Sequence, residues 1–296
     1  MTDLSLFHSA SMKRTVLFFL MTRTFFSLSS LLGQDPTRFE NEIRAYEHAD
    51  QASSLAPHSI IFAGSSSIRM WSNLASSFPT YAVVNRGFGG STMPDLLHYF
   101  DRLIAVHNPA LVVVYEGDND LAQGSSVEET AKHFREFINR MKTQLPSSDF
   151  AFLSIKPSPS RIDLIPQMIE LNTLLNEMAI AEGGYYFDIF TPMLDENGIP
   201  FAQLFLSDML HLNKAGYRLW RLTLTPMIDQ WAMDRAAKGD FSTYAFKDGV
   251  LNLEWEGNST LEKSDKPTGP WTIVNIKRPG QHSEPTDESK KFFRIR

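Results

Sequence analysis

A chain of 296 residues with 28 basic and 34 acidic side chains carries a formal charge of −6, so it offers no basic stripe for nucleic acid. It holds no cysteine, which excludes disulfides and leaves the redox compartment unmarked. The length suits one domain of roughly 200 residues plus appendages.

At the N-terminus, Met12-Lys13-Arg14 precedes the apolar run Val16 to Met21; Thr22-Arg23-Thr24 interrupts it, and Phe25 to Leu32 resumes it. Basic residues ahead of a short apolar segment read as a signal peptide over residues 1–33, with Met12 as a second start and processing near Gly33. Neither apolar half approaches the ~20 residues that span a bilayer. The chain is therefore expected to be secreted or periplasmic, without a membrane span. The folded part begins near Pro36. Phe39, Ile43 and Tyr46-Glu47 share one helix face, and Asp50 with Ala56-Pro57 closes that segment.

Five short apolar runs follow: Ile60 to Ala63, Val83 to Asn85, Leu111 to Tyr115, Phe150 to Leu153 and Tyr185 to Phe187. Between or after them lie helix-period segments, Met93 to Val106, Val127 to Leu145, Leu164 to Ala181 and Lys214 to Met233. Strands alternating with helices predict a three-layer α/β/α fold with a central parallel sheet of about five strands, flavodoxin-like in layout. In such sheets ligands bind outside the carboxyl ends of the strands.

At those ends stand Gly64-Ser65-Ser66-Ser67, Arg86-Gly87-Phe88-Gly89-Gly90 and Gly117-Asp118-Asn119-Asp120; Asp208-Met209-Leu210-His211-Leu212 precedes the last helix. Together they supply a serine, a glycine amide, an asparagine and an Asp/His pair. A serine hydroxyl becomes a nucleophile when a base takes its proton. The base needs an orienting partner, and the tetrahedral oxyanion needs donors already in place. A spacing of three residues lets Asp208 reach the imidazole of His211 across one turn.

Rival signatures fail. An α/β-hydrolase elbow needs a glycine two residues after its serine, and Ile68 stands there. A calcium loop begun by Asp118-Asn119-Asp120 would need a ligand at Ala122 and a glycine at Gln123. The glycine-rich segment before Ser91 lacks both the G-x-G-x-x-G and the GK[ST] patterns. His58, His98, His107 and His133 show no ligand spacing and read as surface residues, so neither a metal nor a cofactor is expected.

The four blocks are similar to those of the SGNH (GDSL-type) hydrolases, a likeness covering roughly Phe39 to Trp231. It implies Ser66 as nucleophile, Gly90 as an oxyanion amide, Asn119 as the side-chain donor to the same hole, and Asp208 with His211 as orienter and base. One position departs from the family: the residue before the nucleophile is usually Asp, and here it is Ser65. With three adjacent serines, Ser67 is the next candidate. The likeness also implies an SGNH-hydrolase fold over residues 36–235 and a serine esterase activity.

Beyond Trp231 the pattern changes. Ala236-Ala237-Lys238-Gly239-Asp240 reads as a linker. Leu251 to Trp255, Trp271 to Val274 and Phe292 to Ile295 then alternate between turn-forming stretches, which predicts three to five antiparallel strands in a small β-rich module over 241–296. Trp255 and Trp271 are either the core of this sheet or stacking surfaces for a polysaccharide.

The expected substrate is a short acyl ester, such as an acetyl ester, of a carbohydrate or other small soluble molecule. The family's range also allows a lysophospholipase or lipase-like esterase. A non-catalytic surface or carbohydrate-binding protein that keeps the fold is the reading from another class, and the serine at position 65 is the feature that favours it.

Overall fold

The computed structural model describes residues 35–56, 59–238, 241–247, 250–255, 260–264, 272–274, 276, 281–285 and 292–295. The expected signal peptide, His58 and Trp271 lie outside them.

In chain order the elements are α1 (Glu40–Ala52), β1 (Ile60–Gly64), α2 (Ser66–Arg69), α3 (Leu74–Ser77), β2 (Val83–Gly87), α4 (Met93–His98), α5 (Phe100–Leu103) and β3 (Leu111–Tyr115). They continue with α6 (Asp118–Ala122), α7 (Val127–Gln144), β4 (Asp149–Leu153), α8 (Ile165–Ala181), β5 (Tyr185–Phe187) and α9 (Lys214–Lys238). The first five strands pair in parallel in the order β2-β1-β3-β4-β5.

Near-continuous apolar strands are what a sheet covered on both faces requires. Successive residues point to opposite faces, and the core divides accordingly. Ile61, Ala63, Val112, Val114 and Phe152 pack with Ile43 of α1, Leu96 of α4, Phe100 of α5, Phe134 and Phe137 of α7 and Leu171 of α8. Ile60, Phe62, Leu111, Val113 and Leu153 pack on the other face with Ile68 of α2, Leu74 of α3 and Trp220, Leu224 and Trp231 of α9. The result is the three-layer α/β/α arrangement.

Two helical expectations need correction. The helix expected from Met93 to Val106 is broken at Tyr99 (φ −97°, ψ 8°) and again at Ile104 (φ −126°, ψ −61°). Each break redirects the chain, so that Tyr99, Phe100, Leu103 and Ile104 all enter one core. The last helix runs on to Lys238 and absorbs Ala236, Ala237 and Lys238 of the expected linker. It is held there because Trp231 Nε1 and the Arg235 guanidinium both donate to the Asp149 carboxylate, at 2.9 and 2.8 Å.

The C-terminal part forms more strands than the alternation suggested. Six are described: β6 (Phe241–Lys247), β7 (Val250–Trp255), β8 (Leu261–Ser264), β9 (Thr272–Ile273), β10 (Gln281–Pro285) and β11 (Phe292–Ile295). They make two antiparallel sheets, ordered β10-β7-β6 and β11-β8-β9. Among the described residues no helix is long and apolar enough to cross a membrane.

Candidate active site

The register of the sheet gathers three of the four blocks. Gly64 at the end of β1 lies opposite Gly87 of β2 on one side and Tyr115 of β3 on the other. Gly64 has φ +147°, and a Cβ there would sit 2.0 Å from the Tyr115 carbonyl oxygen. Only glycine lets the strand turn so tightly against its neighbour. The chain then enters α2, with Ser65 N donating to Tyr115 O at 3.1 Å and Ile68 N to Ser65 O at 3.0 Å.

Ser66 is the first residue of α2, and its Oγ lies 3.0 Å from His211 Nε2. Ser67 points elsewhere: its side chain is buried and its hydroxyl has no partner in the structure. The hydroxyl of Ser65, where the family carries Asp, is likewise buried and unpaired. Asn85 braces this turn, its Nδ2 donating to Ile68 O at 2.7 Å and its Oδ1 accepting from Gly87 N at 2.9 Å.

The Asp208–His211 turn is built around one carboxylate. Asp208 Oδ1 accepts from the backbone N–H groups of Leu210 and His211, each at 2.9 Å. Its Oδ2 accepts from His211 Nδ1 at 2.7 Å. The His211 side-chain hydrogen bond, followed by the two backbone donors, lowers the Asp208 carboxyl to about 2. An ionised Asp208 makes Nδ1 the protonated nitrogen and leaves Nε2 as acceptor toward Ser66. Met209 inside the turn has φ +55°, a left-handed strain of the kind that persists where surrounding contacts over-determine it. Here the Met209 carbonyl accepts from Ser160 N at 3.1 Å, and Met209 N donates to Leu206 O at 2.9 Å.

Gly90 (φ +83°) lies exposed with open space beside its α-carbon. Asn119 sits in the first turn of α6, its Nδ2 donating to Ser91 O at 2.8 Å and its Oδ1 accepting from Arg161 at 2.8 Å. Ser66, Gly90 and Asn119 therefore stand beyond the carboxyl ends of β1, β2 and β3, and the Asp208–His211 turn meets Ser66 there.

The sequence pattern did not single out the charged layer beneath Asn119. Asp118 Oδ2 is 2.9 Å from Lys156 Nζ, 3.0 Å from Arg161 and 3.0 Å from the Tyr115 hydroxyl. Burial alone would raise the Asp118 carboxyl, and the charges of Lys156 and Arg161 overcome it, leaving it below its usual value. Glu116 is fully buried, with Oε1 2.5 Å from Ser91 Oγ, which also contacts Phe88 O at 2.9 Å. A hydroxyl has one hydrogen, so both contacts are hydrogen bonds only if a protonated Glu116 donates to Ser91. Burial, reinforced by Asp120, raises Glu116 well above the carboxylate range and agrees with that assignment. The available signal was Lys156-Pro157-Ser158-Pro159-Ser160-Arg161, an irregular stretch just beyond a strand's carboxyl end.

His107 is also corrected. It is largely buried and faces Asp50 at 3.3 Å rather than solvent. Among the described residues no three histidine, aspartate or glutamate side chains are grouped to hold a metal.

Comparison with solved structures finds a Streptococcus pneumonia protein named as a platelet activating factor, at 22% identity and TM-score 0.58, covering 70% of this chain and 99% of that one. A GDSL-like lipase from Bacteroides thetaiotaomicron matches at 20% identity and TM-score 0.55, covering 64% and 98%. A variant of an acetyl-xylooligosaccharide esterase from Geobacillus stearothermophilus matches at 14% and TM-score 0.50, covering 58% and 94%. At these identities the likeness shows a shared fold. Comparison with curated protein sequences gives no match. The model of the GDSL-like lipase/acylhydrolase family matches residues 58–219, more than half of the sequence, and the chain belongs to that family.

Proposed function

We propose that the protein is a serine esterase acting on short acyl esters, such as acetyl esters, of a carbohydrate or other small soluble alcohol. The observation that carries the reading is the chain of contacts Ser66 Oγ to His211 Nε2 at 3.0 Å and His211 Nδ1 to Asp208 at 2.7 Å. His211 takes the proton of Ser66 as Oγ attacks the ester carbonyl. The oxyanion is received by the N–H groups of Ser66 and Gly90 and by the Asn119 side-chain amide. His211 then gives the proton to the leaving alcohol. Water repeats the sequence on the acyl-enzyme, releasing the acid and restoring Ser66.

The small-acyl preference draws on the solvent exposure of the site. Gly90 is exposed, and the side chains of Asp208 and His211 are 47% and 25% accessible. A long acyl chain requires an apolar channel to be buried favourably. A second, lipase-like reading draws on one observation: Leu206, Met209 and Ile162 are exposed apolar residues on two loops tied by the Ser160 N–Met209 O bond. Export to the periplasm or outside the cell, and polysaccharide contact through the C-terminal sheets, belong to the same proposal and rest on the sequence.

Turnover of 4-nitrophenyl esters of two to twelve carbons tests the reading. Maximal kcat/KM at acetate supports the short-acyl esterase, and a maximum at eight carbons or more transfers the assignment to the lipase-like reading. No turnover of any ester, with no labelling by a fluorophosphonate, would leave a non-catalytic binder.

A further inference from the structure

Asn119 is held at both ends of its side-chain amide, and by groups of opposite kind. Arg161 Nη2 lies 2.8 Å from one amide atom, and the Ser91 carbonyl oxygen lies 2.8 Å from the other. A guanidinium can only donate and a carbonyl can only accept. The first atom must therefore be Oδ1 and the second Nδ2, so the amide has a single permitted orientation. Only one of the two Nδ2 hydrogens is used by Ser91, and the other remains for a ligand.

Arg161 is itself fixed. Its guanidinium lies 3.0 Å from Asp118 Oδ2, and its backbone N–H donates to Ser158 O at 3.1 Å. Asp118 is in turn held by Lys156 at 2.9 Å and by the Tyr115 hydroxyl at 3.0 Å. Two cations, Lys156 and Arg161, thus face the ionised Asp118 carboxylate beside the Asn119 amide. Arg161 occupies a break in a short 3-10 turn, Pro159–Leu164, with φ −123° and ψ 31°. Its side chain reaches Asn119 in the first turn of α6.

We propose that Arg161 is a positioning residue for the oxyanion donor: it fixes the Asn119 amide and polarises it, so that the free Nδ2–H meets negative charge as it develops on the ester oxygen. A charged donor on Oδ1 draws density from the amide and strengthens its N–H toward an anion. The benefit grows as charge accumulates, so it belongs to the transition state and affects kcat more than KM. The inference rests on the esterase reading above.

The test is a double-mutant cycle on the full chain with 4-nitrophenyl acetate, using R161M, R161K, N119A and R161M/N119A. Loss of one oxyanion donor typically costs about 100- to 1000-fold in kcat, so N119A should fall in that range. R161M should lower kcat about 10- to 100-fold with KM within about threefold, and R161K should keep more activity than R161M. Once Asn119 is gone Arg161 has nothing to position, so R161M/N119A should sit within a few-fold of N119A alone.

A wild-type-like R161M, a multiplicative double variant, or a raised KM at constant kcat would each overturn the proposal. If R161M does not fold, R161K and R161K/N119A complete the same cycle, and a multiplicative loss there overturns the proposal equally. A wild-type chain inert to both esters and fluorophosphonate sinks the esterase reading and this inference with it; an active chain with a multiplicative cycle sinks the inference alone.

Discussion

The Tyr217 hydroxyl donates to the carbonyl oxygen of Ser67 at 2.9 Å, joining the helix that follows His211 to the short helix that begins with Ser66. The two residues are 150 positions apart. The contact joins the element that follows the imidazole to the one that carries the serine, and Tyr217 also stacks on Trp71 at 5.3 Å between ring centroids. Tyr217→Phe keeps the ring and removes the bond. It should cost about 1 kcal/mol of stability and lower kcat several-fold with KM nearly unchanged. Thermal unfolding and steady-state kinetics on the same preparation check this.

Under the proposed serine mechanism, the nucleophile is the hydroxyl that meets the imidazole, Ser66. Ser66→Ala should abolish fluorophosphonate labelling and ester turnover. Ser67→Ala should leave turnover within a few-fold, because its buried hydroxyl bonds to nothing in the structure. Labelling retained in Ser66→Ala and lost in Ser67→Ala would reverse the assignment.

His211→Ala should lower kcat about as far as Ser66→Ala, since both remove the same proton transfer and such losses do not add. Asp208→Asn should reduce kcat by up to about 10,000-fold through the wrong tautomer. Asp208 is held at about 2 by the His211 hydrogen bond, so it stays ionised at every pH where the protein is assayed. The acid limb of the rate profile should therefore lie well above pH 2. A limb near pH 2 would show that Asp208 itself titrates in catalysis.

Beneath the site Asp120 accepts from Met93 N and Gly117 N at 3.1 and 3.2 Å. Burial outweighs these donors and raises its carboxyl from 3.8 to about 7. A raised carboxyl favours the protonated native state. Its contribution to stability is complete below about pH 3.8 and is lost as pH rises through about 7. Between those values the native state binds more protons than the unfolded one, so unfolding free energy falls with pH. In urea titrations from pH 4 to 8, Asp120→Asn should show a shallower fall than wild type. An equal or steeper slope in the variant would refute the assignment.

The four blocks, the parallel sheet and the flanking helices were legible because each has a local cause. Val112, Val113 and Val114 form an uninterrupted apolar run because their strand is covered on both faces, and Gly64 and Gly117 mark turns that a side chain would obstruct. The expectation of Ser66, Gly90, Asn119, Asp208 and His211 came from the likeness of the four blocks to those of the SGNH hydrolases, each block marking the turn that carries its residue. The sequence could not show which serine faces His211, since three adjacent serines look alike until α2 sets their directions. Nor could it show that Arg161 reaches Asn119 or that Lys156 lies against Asp118. Those pairs are 42 and 38 residues apart, and they meet because the loops beyond neighbouring strands β3 and β4 converge. The same holds for the broken helix at Tyr99 and for His107 against Asp50, where burial available only in the folded protein outweighed local preference. Sequence determined the strands and turns that bring chemistry to one edge of the sheet; the tertiary structure decided which side chains, once there, touch.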